Sequence, residues 1–535
     1  MAEDVAVHPQ PREIVNWGGS NDVARLSAAQ FAARQRWAHL TDLLGGTQHM
    51  RTCTRLKEWL PPLKGESPEA YRWRQRRAFL YPAFRDTVAK LSARPFSHRP
   101  VVLVNGEALN PSLQRMEANV DKAGRNLTQF CRAWLRDGLI RGMSLALIDF
   151  PATNGVYHHG DEMDRGIWPT WVHITGDQIL GVHSDIASET GQVYLTQLRY
   201  EAENVEPYGP FGERTVKRIR IWNAPEMDGY GQPLVVGGLR AQGTMETWVE
   251  VDRQWKLESG PIPHSYPGIP VVPFFTAQTG FFEGEPYFED LGWLNIRHWQ
   301  SLSDQNNILD HARVPMRYEF GVDTSIEDIE ATAPTKTAAS SVIRAVNPDA
   351  KAGFVEIRGD AIPAGERDLN RLEERMQQLG SAPLVERVAT ATEASIKSGE
   401  TLTVMQSWIR DLETACRDCY LVAARWLEWG EAKMQGRLPK PDRQLLPEKF
   451  AIDIFSDFQV ARGDASQAEL LLKARLSQNI TQRRFLEELQ ARGMLADTMD
   501  IDAELAELAM EGQFSVPPAG QSDETGDDSD VGTGE

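Results

Sequence analysis

Nowhere does the sequence hold an apolar run approaching about eighteen residues, so no membrane span is expected. The opening stretch MAEDVAVHPQPR has no apolar core of the kind a secretory leader needs, so no signal peptide is expected. Cysteine is scarce: Cys53, Cys131, Cys416 and Cys419 in 535 residues cannot form a disulfide framework, which fits a chain made in a reducing cytoplasm. Nor is there a surplus of positive charge. The net charge is −19, and the last 25 residues hold seven carboxylates (Glu511, Asp523, Glu524, Asp527, Asp528, Asp530, Glu535) without a Lys or Arg. Subtracting that −7 leaves −12 on residues 1–510, so the body is itself acidic. An acidic body argues against static, tight nucleic-acid binding, which needs a basic footprint, yet permits DNA that must slide past.

Catalytic signatures are missing too. There is no G-x-x-x-x-G-K-[ST], no H-E-x-x-H, no G-x-S-x-G and no convincing G-x-G-x-x-G, so the expectation is a protein that is not an enzyme and carries no cofactor. Three weaker candidates have blander readings. Cys416-x-x-Cys419 has no second Cys or His pair nearby to complete four zinc ligands, and both thiols fall on an apolar helical stripe, which reads as core. His158-His159 with Asp161, Glu162 and Asp164 lies in a Gly-rich segment and reads as a solvated loop. Arg72, Arg74, Arg76 and Arg77 span more than one helical face and read as a solvated or subunit-contact surface.

What is present is length, tryptophan and helical pattern. Fifteen Trp argue for real buried or interfacial area. Caps at Ser27, Ser67-Pro68 and Asn126 (with Gln129) open three helices, expected to stop at Gly45, to be interrupted by Pro82, and to end near Gly138. Short β-rich runs follow: Met143–Phe150, Thr170–Ile174, Val193–Tyr200, Arg218–Trp222, Met245–Val251 and, as an edge strand, Ile269–Phe275. The next helical stretch, ended by Pro315, mixes Asn295, His298, Gln300, Gln305 and Asn306 with leucines. So polar a helix is either packed through hydrogen bonds or lines something wet. After a small insert with a short helix from Ser325, a second helix carries Leu369, Leu372, Met376 and Leu379 at three–four spacing and ends at Gly380.

Then comes the longest element, Thr390–Gly430, opened by a Thr390/Glu393 capping box. Leu402, Met405, Ile409, Leu412, Cys416, Cys419, Ala423 and Trp426 form one unbroken stripe along roughly 60 Å of helix. Ile452–Phe458 reads as a lone strand. Two helices capped at Asp464 and Thr481 follow, the second ending at Gly493, and a disordered acidic tail closes the chain.

The order of these pieces resembles the portal proteins of tailed bacteriophages, and in particular a portal family long catalogued as a domain of unknown function. The residues that carry the resemblance are IPVVPFF, LGWLNIRHWQSLSDQNNILDHARVP, MQQLGSAPLVERVATATEASIKSGETLTVMQSWIRDLE, IDIFSDF and LSQNITQRRFLEELQARGML. One departure is Asn479, where the family often has Gly. The resemblance implies an α+β portal fold: a flexible N-terminus (1–26), a wing of helices plus a β-rich region (27–284), stem helix 1 (285–312), a small mixed clip (313–362), stem helix 2 (363–380), a tunnel loop (381–389), a long wing helix and strand (390–462), crown-side helices (463–515) and an acidic tail (516–535).

It further implies a ring, usually of twelve subunits, at the unique capsid vertex, made in the host cytoplasm and incorporated in the virion. Double-stranded DNA passes through during packaging and ejection. The partners implied are the large terminase, head-completion or adaptor proteins, and major capsid or scaffolding protein. Val385, Glu386, Arg387 and Val388 would face DNA; Leu402, Met405, Ile409, Leu412 and Trp426 would serve packing against a sheet or neighbouring subunits. Oligomer contacts would account for the Trp load and for wet helices that one subunit cannot satisfy. Rival readings are another virion structural protein, such as an adaptor or minor capsid component, or a cytoplasmic enzyme with an unmarked site.

Overall fold

Helix starts follow their side-chain caps. In this computed structural model the described residues are 22–104, 109–150, 167–236, 239–264, 266–313, 316–320, 351–355, 361–384, 403–435, 439–456, 465–477, 479–491, 495 and 501–506. Ser27 accepts from the Gln30 amide at 3.2 Å and opens α1 (Ala28–Leu44). Short α2 (Gly46–Thr52) and α3 (Leu56–Trp59) follow. Ser67 opens α4 (Pro68–Arg77), and Pro82 separates it from α5 (Ala83–Ala93), as a residue without an amide hydrogen should. Strand β1 (Val101–Leu103) and α6 (Pro111–Met116) lead to α7 (Leu127–Arg141). Asn126 and Gln129 close a reciprocal capping box there, at 2.9 and 3.1 Å.

Helix α7 does not end near Gly138. It runs one turn further, and Gly142 at φ 82° supplies the left-handed cap, where a Cβ would meet the Glu285 carbonyl oxygen at 2.2 Å. Gly138 instead lets the Phe274 ring approach the helix: a Cβ there would lie 2.6 Å from it. A glycine kept for close packing was read from sequence as a stop.

Two sheets dominate the middle of the chain. The first has the order β11-β2-β3, all antiparallel, from β2 (Met143–Asp149), β3 (Thr170–Ile174) and, at one edge, the proline-containing β11 (Val271–Phe275). Residues Met143–Ile148 of β2 are all buried, so this sheet is covered on both faces.

The second sheet has the order β10-β9-β6-β5-β4: β4 (Ile179–Ile186), β5 (Val193–Tyr208), β6 (Gly212–Asn223), β9 (Gly243–Val251) and β10 (Gln254–His264), with the small pair β7 (Val235–Val236) and β8 (Leu239–Arg240) between β6 and β9 in sequence. Strands β5 and β6 are far longer than Val193–Tyr200 and Arg218–Trp222 suggest. Glu203–Tyr208 pairs only with Gly212–Lys217, which makes a two-stranded arm about 20 Å long.

Short β12 (Gln278–Gly280) and β13 (Glu283–Gly284) precede α8 (Glu289–Arg313). Strands β14 (Met316–Phe320) and β15 (Lys351–Val355) pair antiparallel, and α9 (Ala361–Ser381) follows. The longest described helix, α10, spans Val404–Gln435. It opens on a capping box at Thr403 and Gln406 (2.9 and 3.2 Å) and passes straight through Gly430, so the expected stop there is wrong: with open space around that glycine nothing turns the chain. The expected Thr390 start lies outside the described residues. Strand β16 (Ala451–Asp453) is not alone, as the sequence suggests; it pairs with β1, some 350 residues earlier.

The described residues thus combine helices with antiparallel sheets in an α+β arrangement. The chain divides into two compact units, 1–456 and 457–535. Within the second, α11 (Ala465–Leu476) and α12 (Gln482–Ala491) are joined by Arg475, which donates to Gln482 at 2.7 Å and to the Ile480 carbonyl at 3.4 Å. Thr481 caps α12 as expected; Asp464 and Gly493 lie outside the described residues, as do the Ser325 helix, His158-His159 and the acidic tail.

Candidate functional site

The polar helix and its partner form the most distinctive local arrangement. His298 Nε2 lies 3.2 Å from Glu373 Oε1, and Gln305 Nε2 donates to the Ile362 carbonyl at 2.9 Å. As position rises on α8 it falls on α9, so the helices run antiparallel. The β14/β15 ladder closes the end at which α8 stops and α9 begins. A single excursion of the chain therefore goes out along one helix, crosses a strand pair and returns along the other.

The polar face of α8 is buried, not wet. Asn295, His298, Ser303 and Gln305 are 1–5% exposed. Asn295 accepts from the Phe84 amide (3.0 Å) and donates to the Tyr81 carbonyl (2.8 Å); Gln300 donates to the Trp59 carbonyl (2.8 Å). Asn295, Gln300 and Gln305 thus find partners inside one chain, which corrects the expectation that only neighbouring subunits could supply them, while His298 Nδ1 is buried without a described partner. Burial without partners would have cost roughly 1–3 kcal/mol for each group.

The arginine run also departs from its solvated reading. Arg74 is buried, held bidentate by Glu66 (2.9 Å to each oxygen) and donating to the Pro61 carbonyl (2.7 Å) and Ser303 Oγ (3.4 Å). The Arg74 guanidinium holds the Glu66 carboxyl below the usual carboxylate range. Arg77 pairs with Asp310 on α8, while Arg72 and Arg76 are exposed. One arginine of four fastens α4 to α8 from within.

The long helix α10 is fixed by its apolar stripe. Met405, Ile409, Leu412, Cys416 and Cys419 are fully buried, and Trp426 is 8% exposed, against β11, β2, β16, α6 and α7 of the same chain. Indole N–H groups anchor it: Trp408 donates to the Thr276 carbonyl (2.8 Å) and Trp426 to the Ile148 carbonyl (2.7 Å). The stripe is therefore occupied by the chain's own sheet, and Arg410, Asp411, Thr414 and Arg417 are exposed on the helix. Cys416 Sγ lies 3.3 Å from Cys131 Sγ of α7, and both Cys416 and Cys419 have thiol pKa values raised well above the usual, Cys416 by the bond to Cys131 and by burial, Cys419 by burial. These are inert core thiols, as their place on the stripe implies.

Between α9 and α10 the described chain includes a 3-10 turn at Ala382–Leu384. Val385, Glu386, Arg387, Val388 and Leu402 lie outside the described residues.

One group of possible metal ligands occurs among the described residues: Asp42, His49 and Cys53, with ligand atoms within 4.8 Å of one another. Asp42 is already engaged. One oxygen takes His49 Nε2 (2.9 Å) and the other takes Arg55 Nε (2.9 Å) and Trp59 Nε1 (2.7 Å). Burial alone would raise its pKa, but the bonds from Arg55, His49 and Trp59 outweigh this and lower it. The cluster ties α1, α2 and α3 around a charged acid, and no sequence spacing announced it. Among the described residues no helix is long and apolar enough to cross a membrane.

Comparison with known proteins adds the following. Residues 287–427, covering the helix pair, the segment between, and much of α10, match a family described as a domain of unknown function (DUF4055). No curated protein matches the chain. Among solved structures, similar chains come from the virion of a native gene transfer agent particle (TM-score 0.36, 12% identity, 81% of this chain and 95% of that one) and from the neck of the empty particle computed with C6 symmetry (0.35, 11%, 82% and 98%). A third comes from the neck of the native particle computed with C12 symmetry (0.34, 11%, 76% and 89%). These scores lie below what a shared fold gives.

Proposed function

We propose that this chain is the portal subunit of a tailed phage or phage-like particle, a ring at one capsid vertex through which double-stranded DNA is packaged and ejected. The observation that carries the reading is the excursion α8–β14/β15–α9, followed after residues 382–403 by α10. An antiparallel pair of helices bracketing a small strand-paired insert suits a stem with a clip at its end. The order of sequence pieces that resembles portal proteins supports the same reading.

In this reading residues 27–284 and α10 belong to the wing, α8 and α9 to the stem, 313–362 to the clip, and 463–515 to the crown. The clip docks the large terminase and then head-completion or adaptor proteins; the wing meets major capsid or scaffolding protein. An acidic body gives DNA few fixed phosphate contacts and so lets it translocate. The connector around Val385, Glu386, Arg387 and Val388 forms the tunnel loop.

Electron microscopy of the purified chain is the deciding experiment. Closed rings, twelve-fold or close to it, with a channel wide enough for duplex DNA are expected; a compact monomer or dimer at every concentration sinks the proposal. Deleting Val385–Val388 is expected to leave rings intact but impair packaging or genome retention. Unchanged packaging and retention would remove the loop's role while leaving the ring.

A further inference from the structure

The β5/β6 arm ends in an exposed aromatic tip. Phe211 is 100% exposed, Tyr208 66% and Val205 64%. A two-stranded ribbon is marginally stable in water, and a fully exposed Phe at the end of one is an unusual place to leave apolar surface. Yet this arm is braced. Arg218 at its root bonds Glu206 on β5 (2.6 Å) and Glu258 on β10 (2.7 Å), and Arg214 bonds Glu206 (3.3 Å) and lies over the Tyr208 ring (5.9 Å). A stiffened arm that presents aromatic groups is built to reach something.

The same unit carries a cavity of about 650 Å³ between α10 and the 266–273 segment. Its lining is polar overall, with Trp429 and the edges of Tyr266, Ile269 and Val272 adding apolar patches, and Arg240, Arg425 and Lys440 outnumber Asp418 and Asp442 around it. Arg240 lies over Trp429 at 4.6 Å, and Arg425 is held by Asp442 (2.9 Å) and the Tyr266 hydroxyl (3.1 Å), so the walls are set.

The arm cannot fill the cavity of its own chain. Its root is tied to the cavity wall by successive ring contacts: Trp222 to His264 (5.2 Å), His264 to Trp426 (6.2 Å) and Trp426 to Tyr266 (5.3 Å). From that root β6 runs straight away as a continuous ladder, which puts the tip roughly 35 Å from Trp222. A braced ladder does not fold back over that distance. A second copy placed beside the first can receive it.

We infer that the Tyr208–Phe211 tip of one copy seats in the α10/266–273 cavity of the next, with exposed Glu213 facing its cationic rim. Such a contact joins two different surfaces, and a head-to-tail contact of this type closes into a ring when the rotation allows. The inference deepens the portal reading and rests on it for the ring.

The test uses the full chain with Pro210→Cys and Gln232→Cys, both exposed, in a Cys53→Ser background. Mild oxidation is expected to give a ladder of reducible multimers, whereas each single-cysteine variant stops at dimers. Phe211→Ala is expected to raise the concentration needed for assembly at least tenfold, as loss of an aromatic anchor does, with the melting temperature of the subunit unchanged because the side chain touches nothing in its own chain. Rings that form normally in Phe211→Ala and give no ladder overturn the inference and leave the portal reading standing. They would direct the tip to a partner outside the ring. A ladder from closed dimers or open filaments upholds the contact and overturns the ring. A chain that stays monomeric throughout overturns both.

Discussion

The polar pair α8/α9 and most of the apolar helix α10 lie within one matched stretch of chain and are fastened by opposite means. On α8 the buried groups are Asn295, His298, Ser303 and Gln305, and directed hydrogen bonds with one acceptable geometry hold them. On α10 the buried groups are Met405, Ile409, Leu412 and two thiols, held by close packing against a sheet. Packing is strong but tolerant of small shifts; a network of buried amides is weaker and sets position. The difference suits a helix pair whose placement must be exact to its neighbours and a long strut whose task is to stay put.

Four substitutions test that contrast, in order of expected effect. Leu412→Asp places a carboxylate at a fully buried position, and it should destabilise the first unit by more than about 4 kcal/mol or prevent its folding. Denaturant titration and expression in the soluble fraction measure it, and a stable, soluble Leu412→Asp protein would show that the α10 core is not where the stability lies. Asn295→Leu fills a similar volume but leaves the Phe84 amide unpaired and removes one of the two bonds to the Tyr81 carbonyl, at a cost of roughly 1–3 kcal/mol. If Asn295→Leu is as stable as the parent, the polar fastening of α8 is dispensable.

The smallest effect is set by pH. Glu66, paired with Arg74, has a lowered pKa in the fold, so its contribution is present above the unfolded value near about 4 and is lost as the pH falls through the folded value. Glu413 on α10 behaves oppositely: burial raises its pKa, only partly offset by the bond from the Ile454 amide, so acidification through that raised value relieves a cost. Glu66→Gln should therefore flatten the loss of stability as pH falls below about 4, and Glu413→Gln should flatten the loss of stability as pH rises through the raised Glu413 value. Melting curves across pH 3–7 for both variants check the signs, and identical profiles would refute the assignment.

Much of the local architecture was legible. The Asn126–Gln129 box, the Ser27, Ser67 and Thr481 caps, the break at Pro82 and the apolar stripe of α10 all depend on neighbours within one or two turns. What was not legible depended on distant chain. Thr390/Glu393 and Thr403/Gln406 are both credible helix starts locally; the described helix uses the second, next to Trp408 bonded to a carbonyl 132 residues away. Arg74 looked like its neighbours because Ser303 approaches it from 229 residues away and Glu66 stands just ahead of the helix cap, off the helix itself. The arm was missed because residues 201–217 are polar on both faces, so no alternation marks them as strand. Its one signal is the turn Pro207-Tyr208-Gly209-Pro210-Phe211-Gly212, which carries aromatics where a turn needs none.

The thiol contact between Cys131 and Cys416 joins residues 285 positions apart, and around it Phe130, Trp171 and Tyr420 complete one aromatic cluster. During synthesis that cluster has no lid until α10 emerges. At the usual elongation rates the interval is roughly 15–60 s. For that time the β11-β2-β3 sheet carries an uncovered apolar face, with β1 also waiting for β16. Folding of the first unit is thus held back to the end of its own translation, and truncated chains ending before Val404 should aggregate where the full chain does not.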